Sequence, residues 1–187
     1  MKTVIMAGGK SERLGIDIEK PLIKIEEKTI FERVVDVLKN AGINEIYVAV
    51  TDATPNTKKK AEELKLKTIQ TPGNGYVNDI QYLMRQFNEF LVVSADLPFL
   101  RSQLIKNVLD RYREVKQPIS VVVPIETYET MGFNPSITVM KKYVPVGVNI
   151  VSDGEDYFYV VEGKQTININ TKEELEMIID ERTTKTI

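Results

Sequence analysis

Near its N-terminus the chain reads Met6-Ala7-Gly8-Gly9-Lys10-Ser11-Glu12-Arg13-Leu14-Gly15, and Lys20-Pro21 follows shortly after. The stretch begins where a short apolar run, Val4-Ile5-Met6, stops, and such a run has the length and composition of a buried strand. Glycines let the backbone come close to a ligand, and backbone N–H groups in such a loop can hold an anion. The arginine brings a planar fork suited to phosphate, and the lysines bring compact charges. The loop is therefore predicted to bind a polyphosphate.

The spacing of the glycines excludes two other phosphate motifs. A P-loop, G-x-x-x-x-G-K-[ST], would need a glycine five residues before Gly9, where the chain has Val4. The dinucleotide fingerprint G-x-G-x-x-G also fails, because Gly8 and Gly9 are adjacent. Taken alone, the stretch could also be an ordinary strand-to-helix turn with surface charges.

Composition excludes several classes of chemistry. The chain has 187 residues, no cysteine, no histidine and a net charge of -2. Disulfides, zinc–thiolate sites, Ser-His-Asp chemistry and histidine-ligated metals are therefore excluded. The remaining oxygen ligands favour Mg²⁺ or a similar hard cation, and nucleotidyl transfer suits them because it depends mainly on positioning and charge neutralisation. The charge gives no support for nucleic-acid binding, and no apolar stretch is long enough for a membrane span.

Strands and helices alternate along the chain, which predicts a single α/β domain over residues 1–187. Continuous apolar strands joined by helices indicate a mostly parallel sheet covered on both faces. Residues 125–150 contain prolines and glycines and no clear helix, and they are predicted to form an inserted lobe of short strands and loops. Residues 157–161 and 165–169 predict a hairpin or a return to the sheet. The N-terminus has no signal-peptide pattern, which predicts a cytoplasmic protein.

Local signals predict the bounds of the main elements. Strands are predicted at 2–6, 46–50, 66–70, 90–94 and 119–124, and helices at 30–40, 55–64, 77–87 and 102–115. Thr29 and Glu32 form a capping-box pattern before the first helix, and Thr54-Pro55 is a typical start for the second. A last helix is predicted from Thr171 to about Asp180.

Three chemistry-bearing features follow strands of the predicted sheet. The phosphate loop follows the first strand, a second glycine-rich loop at 71–76 follows the third, and Asp96 ends the fourth. Ligands bind at the carboxyl ends of parallel strands, so all three are expected to converge on one edge. Asp96 is well placed there to hold Mg²⁺, with a turn or helix-cap role as the alternative.

The first loop resembles the signature of the MobA-like and sugar-nucleotide pyrophosphorylase nucleotidyltransferases, A-G-G-x-S-x-R-[LM]-G and then K-P. The resemblance implies the family's Rossmann-like three-layer α/β/α fold. It also implies that the glycines and the arginine hold the β- and γ-phosphates of an NTP, while the lysine before the proline reaches the α-phosphate. Glu19 stands where aspartate is commoner in the family. The residues so assigned are Gly8, Gly9, Arg13 and Lys20, and Met6 and Ala7 open the predicted nucleotide site.

Two further segments resemble family motifs that bind the metal. Asp96 matches the aspartate of a D-x-P motif, which the resemblance makes a metal ligand. Residues 168–171 resemble the start of an N-I-N-T-P-E segment, with Lys172 in place of the proline. By the same resemblance Asn170 is the preferred second metal ligand, and Asn168 is the next candidate. Capping of the following helix is the alternative role for this segment.

The loop at 71–76 takes the place of the family segment that recognises base and ribose. Its glycines, Gly73 among them, would let a flat ring approach the backbone, and Asn74 lies in the same loop. Asp79 is a candidate to accept hydrogen bonds from guanine, or equally a first-turn charge stabilised by the helix dipole. Thr51, after the second strand, faces the same region.

Within the family, the compact length, the 71–76 loop and the run at 19–25 look most like the archaeal CobY-type guanylyltransferases. This resemblance implies GTP as substrate, Mg²⁺ as cofactor and adenosylcobinamide phosphate, a phosphorylated corrinoid, as acceptor. The acceptor would enter from the inserted lobe, where Asn149 is a possible contact. Molybdenum-cofactor, cytidylyl and sugar-phosphate transfer are the alternatives, and a nucleotide-binding regulator is the alternative from another class. The oligomeric state is left open, with a homodimer as one option.

Overall fold

One seven-stranded sheet organises the computed structural model, which describes residues 1–9, 18–130, 132, 137–163, 166–169 and 174–176. The strands are β1 (Thr3–Met6), β2 (Lys24–Ile25), β3 (Lys28–Thr29), β4 (Ile46–Val50), β5 (Lys67–Gln70), β6 (Phe90–Ser94), β7 (Ile119–Pro124), β8 (Tyr143–Val151) and β9 (Tyr157–Val160). The helices are α1 (Ile30–Asn40), α2 (Pro55–Glu63), α3 (Tyr76–Met84), α4 (Ser102–Val115) and α5 (Ile125–Thr130), and a short 3₁₀ helix spans Lys20–Leu22.

The order of strands in the large sheet is β5-β4-β1-β6-β8-β7-β9, and β2 and β3 form a separate antiparallel pair. Strand β8 is antiparallel to both of its neighbours, β6 and β7, while the other pairs of the large sheet are parallel. The predicted α/β architecture with a mostly parallel sheet is therefore confirmed. Because β1, β4, β5 and β6 run in the same direction, their carboxyl ends reach the same edge.

The segment at 125–150 differs from its prediction. Residues 125–130 form helix α5, although no helix was expected, and β8 is a nine-residue strand in the interior of the sheet rather than part of a separate lobe. Pro145 and Gly147 suggested loops, yet both lie within β8. The pairing of β8 with β7 shifts register near them, and Gly147 has a φ of 82° there. Such an irregularity accommodates a glycine inside a strand.

The end of the chain returns to the sheet. Strand β9 pairs parallel with β7 at the edge, so the return to the sheet is confirmed, and in the described residues no hairpin joins 157–161 to 167–169. Residues 174–176 are helical. The predicted helix start at Thr171 and its end near Asp180 lie outside the described residues.

The core occupies both faces of the large sheet. On one face α1 and α4 pack large buried side chains such as Phe31 and Ile105 against the strands. On the other face α3 covers a smaller cluster that includes Leu83 and Val92. Each such side chain contributes roughly 1.5–3 kcal/mol when fully buried, so the strands form a rigid frame for the loops at their ends. Of the helices in the described ranges, none is long and apolar enough to cross a bilayer.

The predicted capping box at the start of α1 is present and also ties α1 to α2. Glu32 Oε2 accepts hydrogen bonds from the Thr29 backbone N–H and hydroxyl, both at 2.9 Å, and Thr29 Oγ1 accepts from Glu32 N at 3.1 Å. Lys60 on α2 lies 2.8 Å from the other carboxylate oxygen of Glu32. Mainly because Lys60 donates to it, the pKa of Glu32 is lowered from 4.5 to about 2.

We expect Glu32→Gln to lower the free energy of unfolding by ~1 kcal/mol at neutral pH, as for other lost helix caps. A folded-state pKa below the unfolded value stabilises the fold above pH 4.5, and this contribution is lost as the pH falls towards about 2. Urea denaturation of both proteins across that range should therefore show the difference shrinking with acidity. A difference that stays constant with pH would contradict the assigned ionic interaction.

Candidate functional site

Loops from β1, β4, β5 and β6 meet at one edge of the sheet, as the sequence predicted. Backbone hydrogen bonds continue the parallel ladder just beyond the strands. These bonds are Ala7 N–Ala49 O at 2.9 Å, Thr71 N–Val50 O at 2.9 Å and Ala95 N–Met6 O at 3.0 Å. The first residue of each loop therefore keeps the inter-strand distance of the sheet. As a result, the described parts of the phosphate loop, the 71–76 loop and Asp96 lie along the same edge.

Lys20 and Asp96 form an ion pair at this edge. Lys20 Nζ lies 2.8 Å from Asp96 Oδ2, and the two side chains are only 16% and 15% exposed. The other carboxylate oxygen, Oδ1, accepts a 2.6 Å hydrogen bond from the Ser94 hydroxyl. Removing one member of a pair this buried would leave a poorly solvated charge. The structure thus brings together Lys20, the predicted α-phosphate contact, and Asp96, the predicted metal ligand. Arg13, the predicted contact of the β- and γ-phosphates, lies outside the described residues.

The Asn168 segment lies next to Asp96. Ile169 N donates to Asp96 O over 3.4 Å. Asn168 Nδ2 lies 3.8 Å from the position that a Cβ atom on Gly147 would take, and the same position is 2.8 Å from Ser94 Cβ. Glycine at 147 therefore lets β6, β8 and the Asn168 segment approach one another. The preferred second metal ligand, Asn170, lies outside the described residues and stays a prediction.

Tyr128 on α5 lies next to the Asn168 segment and close to Asp96, and the sequence did not predict a role for it. Its side chain is buried, and it has a backbone hydrogen bond with Asn168. Burial raises the pKa of Tyr128 to about 12, and the carboxylates of Glu174 and Asp96 add to the effect. The phenol is therefore neutral at physiological pH and borders the acidic part of the site. The apolar spacing of Ile125 and Tyr128 was the available signal for this helix.

Thr51 holds the phosphate loop and the 71–76 loop together. Its hydroxyl donates to Gly8 O at 3.0 Å. A Cβ atom on Gly8 would lie 2.5 Å from Thr51 Cγ2, and one on Gly73 would lie 3.1 Å from the same methyl carbon. Thr51 is buried, so this contact sets the spacing between the two loops. The sequence placed Thr51 among the nucleotide-binding residues, and in the structure its hydroxyl is used by the loop itself.

Asp79 supports the 71–76 loop from within. Its side chain is buried, and Oδ1 accepts from Gly73 N at 3.0 Å. Asn78 Nδ2 also donates to Asn74 O at 2.8 Å. Gly73 has a φ of 72°, which an L side chain rarely adopts. These bonds give the loop a defined backbone path.

Tyr76 connects the same loop to β8. Asn149 Nδ2 donates to the Tyr76 hydroxyl oxygen at 2.7 Å, across 73 residues of sequence. Asn149, predicted as a possible acceptor contact, therefore lies beside the loop predicted to bind the base. This bond joins the first residue of α3 to β8, where Asn149 pairs with Val92 of β6.

The side chains next to the phosphate loop that could bind a metal ion do so through oxygen atoms, which suit a hard cation. The described residues contain no cluster of three or more acidic side chains that could hold a metal ion. Asp96 supplies a carboxylate, and Asn168 supplies a nearby amide. A Mg²⁺ ion here would take its other ligands from water and substrate phosphates, which is how proteins usually bind it.

We expect Gly8→Ala to destabilise the protein by ~1–3 kcal/mol, the usual cost of overpacking, because the new Cβ would overlap the Thr51 methyl group. Thr51→Ser removes that methyl and keeps the hydroxyl, so the double variant should recover part of the loss. Urea denaturation of the two single variants and the double variant measures this coupling.

Gly9→Ala is the matched control for this cycle, because no described heavy atom lies within 4 Å of a Cβ placed there. It should change the unfolding free energy little, with or without Thr51→Ser. Equal losses for Gly8→Ala and Gly9→Ala would show that the Thr51 contact does not set the loop spacing.

Comparison with known proteins adds sequence and structural relatives. The family model described as the MobA-like NTP transferase domain matches residues 3–140. A protein of Methanocaldococcus jannaschii named adenosylcobinamide-phosphate guanylyltransferase is 35% identical over 192 aligned positions, which cover 95% of each chain.

Solved structures with low sequence identity share the fold. CMP:2-keto-3-deoxy-manno-octonic acid synthetase complexed with CTP superposes with a TM-score of 0.71 at 16% identity, covering 98% of each chain. CTP:phosphocholine cytidylyltransferase from Streptococcus pneumoniae superposes with a TM-score of 0.70 at 12% identity, covering 97% of this chain and 98% of that one. The chain thus shares the fold of these two structures.

Proposed function

The chain belongs to the MobA-like NTP transferase family, and we propose that it transfers GMP from GTP to adenosylcobinamide phosphate. The products would be adenosylcobinamide-GDP and pyrophosphate, in a step of cobalamin biosynthesis. The full-length similarity to the M. jannaschii guanylyltransferase supports this choice of substrates. The observation that carries the proposal is the ion pair of Lys20 and Asp96, 2.8 Å apart beside the phosphate loop.

The nucleotide is proposed to lie along the carboxyl edge of β1, β4 and β5. The phosphates would contact the backbone of Gly8 and Gly9, with Arg13 at the β- and γ-phosphates. The base would lie on the 71–76 loop, whose path is set by Asp79 and Thr51. Selection of guanine would then come from backbone groups of this loop.

Lys20 is proposed to stabilise the charge that develops at the α-phosphate during transfer. In the structure its ammonium is paired with Asp96 Oδ2. Nucleotide binding would therefore exchange the partner of Lys20 from carboxylate to phosphate. Asp96, with Asn168 or Asn170, would then hold Mg²⁺, which when bound neutralises charge on the leaving pyrophosphate.

The acceptor is proposed to approach from the side of β8, near Asn149. Its phosphate oxygen attacks the α-phosphorus of GTP in line as the bond from that phosphorus to the β-phosphate bridging oxygen breaks. The attacking phosphate is already an anion, so it requires no general base. This fits a chain that contains no histidine.

The assay that tests this function mixes the protein with Mg²⁺ and adenosylcobinamide phosphate, adds ATP, CTP, GTP or UTP separately, and measures pyrophosphate. We expect release with GTP alone, and only when the acceptor is present. Release with GTP and a molybdopterin acceptor instead would support the molybdenum-cofactor alternative. No release with any NTP and any acceptor would favour a nucleotide-binding regulator.

We expect Lys20→Met to lower kcat by about 10²-fold or more, because an electrostatic contact to the transition state is lost. Lys28→Met is the control, since Lys28 is an exposed lysine paired with Asp36 on the surface, and its kcat should match the wild type. Far-UV circular dichroism at the assay temperature checks that both variants are folded. A Lys20→Met protein that keeps most of its kcat would contradict the assigned role.

A further inference from the structure

Glu19, the residue before Lys20, binds the start of helix α2. Glu19 Oε1 accepts from Asn56 N at 2.8 Å. Glu19 Oε2 accepts from Thr57 N at 2.6 Å and from the Thr57 hydroxyl at 2.5 Å. A carboxylate at a helix N-terminus satisfies free N–H groups and is favoured by the helix dipole. One side chain thus joins the residue before Lys20 to two amides in the first turn of α2, which lie 37 and 38 residues further along the chain.

Helix α2 depends on this distant cap. Thr54 occupies the position where the sequence predicted the cap, yet its hydroxyl accepts from Thr51 N at 3.1 Å and donates to Thr51 O at 3.3 Å. Within the described residues it makes no side-chain bond to the helix. Pro55 has no N–H, so Asn56 and Thr57 carry the first amides that need acceptors. Glu19 supplies both.

Lys20 is thereby held between two fixed points. On one side Glu19 is bound to α2, and on the other the 3₁₀ helix continues through a buried Pro21. Leu22 N donates to Glu19 O at 2.8 Å, which closes the backbone around Lys20. With its backbone held in this way, Lys20 places its ammonium 2.8 Å from Asp96 Oδ2.

We propose that Glu19 is a positioning residue for Lys20: its bonds to α2 hold the lysine backbone where the ammonium reaches the α-phosphate. This inference rests on the proposed transferase function and extends it to a residue outside the expected phosphate contacts. Misplacement of a catalytic group by about 1 Å can cost about 10²-fold in rate. Loss of Glu19 should therefore lower kcat far more than loss of an equivalent helix cap elsewhere.

Glu32 offers that equivalent cap. Glu32 lies on α1 itself and accepts from the N-cap residue Thr29, and Lys60 also contacts it. Like Glu19, it is a carboxylate that stabilises the start of a helix, but it is not adjacent to Lys20 in the sequence. Glu32→Gln and Glu19→Gln each place an amide N–H₂ against groups that donate hydrogen bonds. Both should therefore lower the melting temperature, while only Glu19→Gln should affect Lys20.

The experiment measures kcat, KM for GTP and melting temperature for the wild type, Glu19→Gln, Glu32→Gln, Lys20→Met and the Glu19→Gln/Lys20→Met double variant. We expect Glu19→Gln to lower kcat about tenfold or more with KM for GTP nearly unchanged. We expect Glu32→Gln to keep the wild-type kcat. In the Lys20→Met background, Glu19→Gln should have little further effect on kcat, because the residue through which it acts is gone.

Equal kcat values for Glu19→Gln and Glu32→Gln, or a Glu19→Gln loss that persists in the Lys20→Met background, would overturn this inference alone. Wild-type protein that turns over no acceptor would instead overturn the proposed function.

If Glu19→Gln does not fold, Thr57→Val replaces it, since valine keeps the volume of the side chain and removes only the hydrogen bond from the Thr57 hydroxyl to Glu19. A smaller kcat loss, again absent without Lys20, is then expected, and an unchanged kcat would overturn the inference.

Discussion

The parallel register of β1 between β4 and β6 is the constraint on which the site depends. Met6 pairs with Ala49 on one side and with Ser94 on the other, so the three strands reach the edge level with one another. Everything placed just beyond them is therefore close in space. A slip of one residue would also exchange the two faces of each strand, which are both packed in the core. Because a slip would expose core side chains, the hydrophobic core fixes the strand register and thus the relative positions of the loops at the polar edge.

Charge balance explains how this edge can exist both without and with a nucleotide. Bringing an ammonium and a carboxylate out of water is costly, and the Lys20–Asp96 pair offsets that cost through its short contact and the Ser94 bond. A nucleotide brings anionic groups that can replace Asp96 as the partner of Lys20. In the proposed function the released carboxylate would then need a cation of its own, which would couple nucleotide binding to metal binding. Lys20 and Asp96 would thus bind each other in the nucleotide-free site, and bind phosphate and metal when the nucleotide is present.

Local sequence patterns predicted the helices and strands that nearby residues specify. They failed for elements whose structure depends on contacts with residues far away in the sequence. The strands Phe90–Ser94 and Ile119–Pro124 and the capping box of α1 were predicted at their observed positions, because apolar runs and cap residues act over a few residues. Strand β8 was missed because its apolar positions are interrupted by Pro145 and Gly147, and its pairing with β6 joins residues far apart in sequence.

Among the candidate site residues, too, those in local motifs were predicted and those that depend on distant partners were not. Lys20 and Asp96 were predicted from motifs, and the structure places them together. Glu19 was noted only as a departure from the family's commoner aspartate, since nothing near it in sequence indicates that its partners are Asn56 and Thr57. The proposed nucleotide and acceptor parts of the site also rest on different comparisons. The matched family domain covers 3–140 and thus the phosphate loop, whereas Asn149 and Asn168 lie beyond it, in the part of the chain that the full-length relative covers. Because the Tyr76–Asn149 bond joins these two parts, the loop that would hold the base is physically continuous with the strand that would face the acceptor.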